Sequence, residues 1–348
     1  MTTYTLKQLG WSPVFLQSMD LETEDPGTVA RITAVHRNRY EALGVDGPIE
    51  LRAAPDFLAE DDRPTIGDFV LVDVAQMRPA RVIARKTLFA RKTPGKARTH
   101  QLIAANVDTA FIVSSCNDDF NEARLERFLA MVREAGATPV IVLTKADLTD
   151  DADAYADRAR AVAGGALVEV INAKDPAGLD ALRVWCGPGQ TIALLGSSGV
   201  GKTTVMNSLT GGDADTGEIR EDDSKGRHTT RSRTITPLVD GGWIIDTPGI
   251  RELGLTDTSD GVAETFSDVA ELAAACRFSD CAHGEEPGCA VQAAIAAGDL
   301  ESERLARFEK LQREIQFNTE SLSERRRRMK QWGKTIKSAV SKKRGPET

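Results

Sequence analysis

The segment GSSGVGKT, from Gly196 to Thr203, identifies the architecture of the central part of this chain. It follows the apolar run TIALLG and opens the helix-forming stretch GKTTVMNSLTG, which is the strand–loop–helix context of a phosphate-binding loop, or P-loop. Glycines let backbone N–H groups close around phosphates, and the helix N-terminus adds positive potential. A glycine-rich turn without a ligand is the alternative, which this context disfavours. The predicted nucleotide-binding residues are Gly196, Ser197, Ser198, Gly199, Val200, Gly201, Lys202, Thr203 and Thr204.

A second motif, DTPG at 246–249, ends the apolar stretch WIID. An acid at Asp246 can bind Mg²⁺ through water, and Gly249 can present its N–H to a γ-phosphate. In the P-loop, Lys202 is predicted to reach the β- and γ-phosphates and Thr203 to bind Mg²⁺. A glycine pair between TITPLVD and WIID predicts an antiparallel hairpin just before DTPG. Together these features predict a site that senses the γ-phosphate of a nucleotide.

A base-reading motif, TKAD at 144–147, follows the apolar stretch TPVIVLT. The Asp147 carboxylate can accept both the ring N–H and the exocyclic amine of guanine, which adenine does not offer in that arrangement, and Lys145 would lie along the base. A helix N-cap at Asp147 is the alternative for this motif alone. After ALVEVI, the N–H of Ala173 can meet the guanine carbonyl oxygen. Thr144, Lys145, Asp147 and Ala173 are therefore the predicted guanine-site residues, with GTP as ligand.

The order of these motifs is unusual, because the base-reading elements precede the phosphate-binding elements. Apolar stretches alternate with amphipathic helical stretches, which indicates a parallel sheet covered on both faces. Such a sheet can form the same site wherever the termini fall. We therefore predict an α/β P-loop GTPase domain over 96–258 that is circularly permuted. Its γ-phosphate-sensing segment then leads directly into the C-terminal region.

The N-terminal part of the chain has a different pattern. Residues 26–95 contain short β-rich stretches separated by glycine and proline, which predicts a barrel or sandwich of about five strands. Residues 1–25 form an arm that either packs on the body through Trp11 and Phe15 or remains a mobile tail.

A cysteine–histidine cluster, Cys276-x4-Cys281-x-His283-x5-Cys289, interrupts the helical pattern of the C-terminal region. Three thiolates and an imidazole suit tetrahedral Zn²⁺ with no open position, which predicts one structural zinc. A disulfide or unliganded thiols are the alternatives, and the five cysteines of the chain, a low and odd number, disfavour disulfides. We predict a mostly helical zinc-binding domain over 259–324.

Charge is distributed unevenly along the 348 residues. The formal net charge is −8, yet the tail at 325–348 is strongly basic and the stretch 78–107 contains no acid. Both segments predict docking surfaces for a polyanion such as RNA, with a solvated basic tail as the alternative. No apolar run approaches the ~18 residues that span a bilayer, and the N-terminus lacks a secretory pattern. We expect a cytoplasmic protein without a membrane partner.

These features together resemble the small ribosomal subunit biogenesis GTPases of the RsgA (YjeQ) family, over about residues 26–320. The β-rich region, the permuted motif order and the Cys/His cluster carry the resemblance. GRHTT at 226–230 matches the switch segment of the family, and QLIAANVD at 101–108 matches its entry into the GTPase domain. The resemblance implies an N-terminal OB fold and GTP hydrolysis stimulated by the small ribosomal subunit and its rRNA during late subunit maturation. We expect a monomer.

Slow hydrolysis is expected without a partner, because Ile250 stands where Ras-like enzymes carry the glutamine that positions water. His228 in GRHTT is the predicted substitute, since an imidazole can orient or deprotonate water. A solvated loop histidine is the alternative. Thr229 or Thr230, with a preference for Thr230, is predicted to bind Mg²⁺.

One departure from the family concerns Thr144, which replaces an asparagine that ties this loop to the P-loop and to the base, so reduced GTP affinity is expected. Three other functions compete with a GTPase switch. They are an RNA-binding module that holds GTP as a structural ligand, a P-loop metallochaperone, and an ATPase or kinase. Four closely spaced ligands indicate a permanent metal rather than an exchangeable one, and Asp147 disfavours adenine.

Overall fold

The computed structural model describes residues 3–22, 24–53, 63–92, 100–212, 234–246, 258–284 and 286–319. Their strands are β1 (Val29–Val35), β2 (Arg39–Gly44), β3 (Gly47–Arg52), β4 (Phe69–Asp73), β5 (Arg78–Val82), β6 (Leu88–Lys92), β7 (His100–Ala105), β8 (Thr109–Ser115), β9 (Thr138–Thr144), β10 (Leu167–Val170), β11 (Thr191–Leu195), β12 (Thr234–Pro237) and β13 (Trp243–Asp246). Their helices are α1 (Pro13–Leu16), α2 (Glu122–Glu134), α3 (Ala152–Val162), α4 (Asp180–Arg183), α5 (Lys202–Thr210), α6 (Ser259–Thr265), α7 (Ser267–Ala274), α8 (Ala290–Ala297) and α9 (Ser302–Thr319).

Strands β1 to β5 form an antiparallel unit in which β1 pairs with both β2 and β4. Strand β2 also pairs with β3, and β4 pairs with β5. At the far side, the Arg52 N–H at the end of β3 donates to the Met77 carbonyl beside β5 at 2.8 Å. This bond joins the two outer strands, so the five strands that the spacing predicts form a ring.

The N-terminal residues pack on the body, so of the two alternatives for the arm the packed one is correct. The ring of Phe15 lies 5.0 Å from that of Trp11 and 4.9 Å from that of Phe69 in β4. Trp243 of β13 donates from Nε1 to the Gln8 carbonyl at 2.7 Å. The arm therefore contacts both the five-stranded ring and the α/β sheet.

A buried arginine joins the ring to the strand that precedes the P-loop. Arg31 of β1 is 1% exposed and donates to the Leu9 carbonyl at 2.8 Å and to the Thr191 hydroxyl of β11 at 2.7 Å. Burial lowers the pKa of Arg31 to about 10, while Asp108 and Asp68 oppose this shift. The side chain therefore remains charged at neutral pH and links the arm, β1 and β11.

Strands β6 and β7 pair with each other in a separate antiparallel sheet, which the sequence analysis does not predict. Phe89 and Ile103, one from each strand, are buried in the main hydrophobic core. The predicted boundary between residues 95 and 96 falls in the connection of this hairpin. The hairpin therefore takes one strand from each of the two predicted regions.

The α/β part contains six strands in the order β10-β9-β8-β11-β13-β12. The neighbours from β10 to β13 are parallel. Strand β12 runs antiparallel to β13, in the hairpin that the glycine pair at 241–242 predicts. Strand β11 carries the P-loop and lies inside the sheet between β8 and β13, although β8, β9 and β10 precede it in the chain. This arrangement agrees with the circular permutation predicted from the motif order.

Helix α2 belongs to two hydrophobic cores. Leu125 and Leu129 pack in the core of the α/β sheet, whereas Ala130 and Met131 pack among residues of the C-terminal helices. The C-terminal helices therefore rest directly on the GTPase part of the chain. None of the helices in the described ranges has the length and apolar character needed to cross a membrane.

Candidate nucleotide site and metal centre

The P-loop follows β11 at the sheet edge where the neighbouring strand β8 also ends. Gly196 has a φ of 142°, and a Cβ at this position would lie 2.2 Å from the Val113 carbonyl oxygen of β8. Gly199 and Gly201 have φ angles of 77° and 95°, in the left-handed region that favours glycine. The backbone of this loop therefore requires the glycines of the motif.

Lys202 lies where a phosphate-binding lysine is needed. It is the first residue of α5 and is buried. Its Nζ donates to the Gly196 carbonyl at 2.9 Å and also contacts the Ser197 carbonyl. Because phosphate oxygens carry negative charge, they form stronger hydrogen bonds with an ammonium than these neutral carbonyls do. The side chain is therefore already folded over the loop that would surround the phosphates.

Thr144, at the end of β9, connects the base-reading motif to the P-loop. Its hydroxyl oxygen lies 2.6 Å from the Val200 carbonyl oxygen and 3.1 Å from that of Ser114, and the residue is 1% exposed. The threonine therefore keeps a contact with the P-loop. The expected reduction of GTP affinity stays a prediction.

We expect Thr144→Val to lower GTP affinity by about tenfold, because valine keeps the shape but leaves the Val200 carbonyl without its donor, at a cost of about 1–3 kcal/mol. Thr144→Ser keeps the hydroxyl and is the matched control. Titration with a fluorescent GTP analogue measures both variants. Native affinity in the valine variant would show that this hydroxyl does not position the loop.

Asp147 lies in a single 3₁₀ turn, Ala146–Leu148, directly after β9. Lys145 precedes it with φ 60° and ψ 29°, a left-handed conformation that is uncommon for a residue other than glycine. Asp147 is exposed, and the N-cap of the next helix is Asp151. The helix N-cap alternative for Asp147 is therefore wrong, and its carboxylate remains accessible to a ligand.

Ala173, in the second base-reading loop, lies against the P-loop helix. Ser208 of α5 donates from Oγ to the Ala173 carbonyl at 3.1 Å. In the same loop, the Asn172 side chain accepts the Lys174 N–H at 3.0 Å. These bonds fix the loop after β10 beside α5. Ser208 could not be predicted from the sequence, because it lies outside every recognised motif and its contact depends on the packing of two distant segments.

Several predicted site residues lie outside the described part of the chain. They are His228, Thr229, Thr230 and Gly249. Asp246 is described as the last residue of β13, but its side chain is not. Because β13 is the parallel neighbour of β11, the backbone of Asp246 reaches the same sheet edge as the P-loop. The roles assigned to these residues stay predictions.

The Cys/His cluster forms a compact set of metal ligands. The ligand atoms of Cys276, Cys281, His283 and Cys289 all lie within 4.8 Å of one another. The Sγ atoms of Cys276 and Cys289 are 3.9 Å apart, and each lies 3.6 Å from His283 Nδ1. Tetrahedral zinc would place two sulfurs about 3.8 Å apart, and sulfur and nitrogen about 3.6 Å apart. The spacing fits one zinc ion, and the disulfide alternative is wrong because all five cysteines are free.

Hydrogen bonds around the cluster hold the ligands in place. Gln292 of α8 donates from Nε2 to the His283 carbonyl at 2.6 Å, and its backbone N–H donates to Cys289 Sγ at 3.4 Å. The Glu286 carboxylate accepts two backbone N–H groups of the ligand loop, at 3.1 and 2.7 Å. Such contacts orient metal ligands. Ligand spacing in the sequence does not reveal Gln292 or Glu286.

Four of the eight lysines and arginines in the basic stretch 78–107 form ion pairs with acids from elsewhere in the chain. They pair Arg78 with Asp73, Arg81 with Glu24, Arg85 with Asp68 and Lys86 with Asp108, at 3.5, 2.6, 2.8 and 2.7 Å. Burial raises the pKa of Asp68, and hydrogen bonding to Arg85 opposes that rise. These four basic residues therefore link parts of the chain to one another, and docking of a polyanion on the stretch 78–107 stays a prediction.

A family model and several curated proteins that match this chain all carry the same family name, RsgA. A family model described as RsgA GTPase matches residues 82–256. The chain is 46% identical to "Small ribosomal subunit biogenesis GTPase RsgA 2" of Vibrio vulnificus, over 99% of this chain and 98% of that protein. It is 49% identical to "Small ribosomal subunit biogenesis GTPase RsgA" of Mesorhizobium japonicum, over 90% of this chain and 91% of that protein.

Two solved structures share the fold. One is the crystal structure of YjeQ from Thermotoga maritima, with a TM-score of 0.62 and 22% identity over 83% of this chain and 98% of that chain. The other is YloQ, described as a circularly permuted GTPase, with a TM-score of 0.61 and 26% identity over 84% of this chain and 96% of that chain. The similarity to YloQ confirms the predicted permutation.

Proposed function

The chain belongs to the RsgA family of small ribosomal subunit biogenesis GTPases, and from that membership we propose that it hydrolyses GTP on the small ribosomal subunit during late maturation. One observation carries the proposal. The base-reading motif and the P-loop come from segments in permuted order. The Thr144 hydroxyl nevertheless joins them, because it donates to the Val200 carbonyl of the P-loop at 2.6 Å. A guanine-reading loop and a phosphate-binding loop thus form one site.

The described residues have distinct tasks in binding GTP. Lys202 exchanges its contacts with the P-loop carbonyls for oxygens of the β- and γ-phosphates, while the loop N–H groups donate to the phosphates. Asp147 accepts two guanine N–H groups, and the Ala173 N–H donates to the guanine carbonyl. Mg²⁺, when bound, neutralises charge that develops between the β- and γ-phosphates. The residues that would hold it are Thr203, Asp246 and Thr230.

Hydrolysis further requires a group that orients the attacking water. Ile250 occupies the position of the usual glutamine and cannot form that hydrogen bond. His228 is the residue that we assign to this task on sequence grounds, because an imidazole can orient or deprotonate water. The expected consequence is slow turnover in the free protein and faster turnover on the small subunit.

The pairing of β1 to β5 supports an OB fold for the N-terminal region. Their order around the ring, β1-β2-β3-β5-β4, is that of a five-stranded Greek-key barrel. Barrels of this class bind oligonucleotides through one face and its neighbouring loops. This resemblance in topology supports contact between the N-terminal region and rRNA.

One end of the ring offers positive charge for that contact. Arg37 and Arg52 are exposed and, within the described part of the chain, form no ion pair. Arg52 lies directly opposite Arg39 in the β2–β3 register, and Arg39 pairs with Glu50 at 3.0 Å. Like charges opposite each other are unfavourable, so an anionic partner would relieve their repulsion. We assign this end and the basic tail at 325–348 to docking on rRNA phosphates.

Phosphate release from GTP, with and without purified small subunits, tests the proposed function. Slow release alone, a large increase with subunits, and a decline of that increase with added salt are expected, because phosphate contacts release counterions. Tight GTP binding with slow release under all conditions would contradict the proposal. That outcome would support an RNA-binding module that holds GTP as a structural ligand.

A further inference from the structure

A buried carboxylate on α2 binds two arginines of the last helix, α9. Glu126 is 0% exposed, and its Oε1 accepts from Arg304 at 2.8 Å while its Oε2 accepts from Arg307 at 2.8 Å. Burial raises the pKa of Glu126, and the two arginines oppose that rise. No step of GTP binding or hydrolysis described above uses this group. The cluster therefore calls for a different explanation.

Arg304 connects more elements than an ordinary pair between two helices. Besides Glu126, its guanidinium donates to both carboxylate oxygens of Asp268, at 2.7 and 3.0 Å, and to the Thr265 carbonyl at 3.0 Å. Its Cζ lies 4.6 Å from the centre of the Phe266 ring. A single planar group on α9 thus holds α2, the end of α6 and the first turn of α7.

Helix α6 also packs closely on α2. The Gly261 N–H donates to Glu134 Oε2 at 2.9 Å, and a Cβ at Gly261 would lie 2.1 Å from the Ala130 carbonyl oxygen. Arg133 of α2 donates to the Thr265 hydroxyl at 2.8 Å. Among the described residues, α6 is the first helix after β13, the strand that ends at the nucleotide edge. Its attachment therefore fixes the position of the first described C-terminal helix on the GTPase part of the chain.

The helices held by Arg304 also carry the metal centre. Helix α7 ends at Ala274, two residues before the first ligand, Cys276, and the ligand Cys289 is the N-cap of α8. Val269 of α7 and Val291 of α8 pack in the same core as Phe308 of α9. The orientation of the metal centre relative to the GTPase domain therefore depends on how α7 and α9 sit on α2.

We propose that Arg304 is a positioning residue that sets one orientation of the zinc-bearing helices on the GTPase domain, and that the small subunit needs this orientation to stimulate hydrolysis. The inference rests on the proposed function. Apolar contacts are non-directional, whereas charged hydrogen bonds from a planar guanidinium select one geometry. A buried ion cluster adds little net stability over apolar residues of the same volume. What this cluster provides, and apolar residues would not, is one defined orientation of the C-terminal helices on α2.

Arg304→Met tests this role, because methionine keeps an apolar stem near Phe266 and leaves Glu126 paired with Arg307. Arg127→Met is the matched control. Arg127 also joins α2 to α9, because its guanidinium donates to both carboxylate oxygens of Glu314, at 2.7 and 2.6 Å. This pair is partly exposed, and among the described residues Arg127 forms no other ion pair. Phosphate release at saturating small subunits gives kcat, and a subunit titration gives the half-saturating concentration separately.

Arg304→Met is expected to lower the subunit-stimulated kcat by about tenfold. The subunit-free rate, the GTP affinity and the zinc content are expected to match the native protein. Arg127→Met is expected to stay within about twofold, because exposed ion pairs contribute little. Should Arg304→Met fail to fold, Glu126→Gln makes the same test, since the amide keeps the volume and withdraws the charge from both arginines.

A native subunit-stimulated kcat in folded Arg304→Met, or in folded Glu126→Gln, overturns the proposal. A fall that appears only as weaker subunit binding, with full kcat at saturation, also overturns it, because the cluster would then support docking alone. Absence of stimulation in the native protein contradicts the proposed function instead, before any variant is compared.

Discussion

Asp147→Asn is expected to change the base preference of this protein from guanine to xanthine nucleotides. The carboxylate accepts two guanine N–H groups, whereas the asparagine amide keeps one acceptor and turns a donor toward the exocyclic amine. A lost charged hydrogen bond costs about 1.5–3 kcal/mol, so GTP affinity should fall by about ten- to a hundredfold. Xanthine carries a carbonyl in place of that amine. The amide can donate to it, so XTP affinity should rise.

The control for this change is Asp150→Asn, which removes the same charge from an exposed position three residues farther along the loop. Competition binding with GTP, XTP and ATP measures all three proteins. The control should keep the native preference for GTP, because Asp150 has no assigned contact with the base. Equal affinity of the native protein for ATP and GTP, or an unchanged GTP preference in Asp147→Asn, would refute the assigned role of Asp147.

The sheet around the nucleotide site could be predicted because its strands are apolar at nearly every position. TPVIVLT coincides with β9 and TIALL with β11, as expected for parallel strands buried on both faces. The P-loop glycines were also predictable, since the backbone at Gly196 leaves no room for a Cβ beside Val113. In these elements the local sequence already contains the physical constraint.

Other features depend on contacts between distant segments, which no local pattern contains. Arg81 appears as free positive charge in the sequence, yet it binds Glu24, 57 residues away. The β6–β7 hairpin was not predicted, because the basic residues of its strands obscure the apolar pattern that would mark Phe89 and Ile103 as buried. The contact of the Thr144 hydroxyl with the Val200 carbonyl could not be predicted, because it depends on how β9 and the P-loop meet.

Removal of a zinc ligand is expected to have the largest effect on the C-terminal region. Cys289 supplies a ligand atom and also serves as the N-cap of α8, where its Sγ accepts the Gln292 N–H at 3.4 Å. Structural zinc contributes about 10–16 kcal/mol of apparent binding free energy in small zinc-dependent folds. Cys289→Ser should therefore release the metal and unfold α8 with its surroundings, since the local core alone is too small to replace that contribution.

Nucleotide binding should nevertheless survive in Cys289→Ser, because the core beneath the P-loop, with Val200 and Val205, is separate from the core that contains Cys289. The matched control is Cys116→Ser, which alters a buried thiol of the α/β core and should leave one zinc per chain. Metal analysis, hydrogen exchange in α8 and GTP titration separate these effects. An unchanged zinc content after replacement of all four ligands would refute the site. Loss of GTP binding together with the zinc would instead show that the unfolding reaches the nucleotide site through α2, which packs both in the main core of the sheet and against the C-terminal helices.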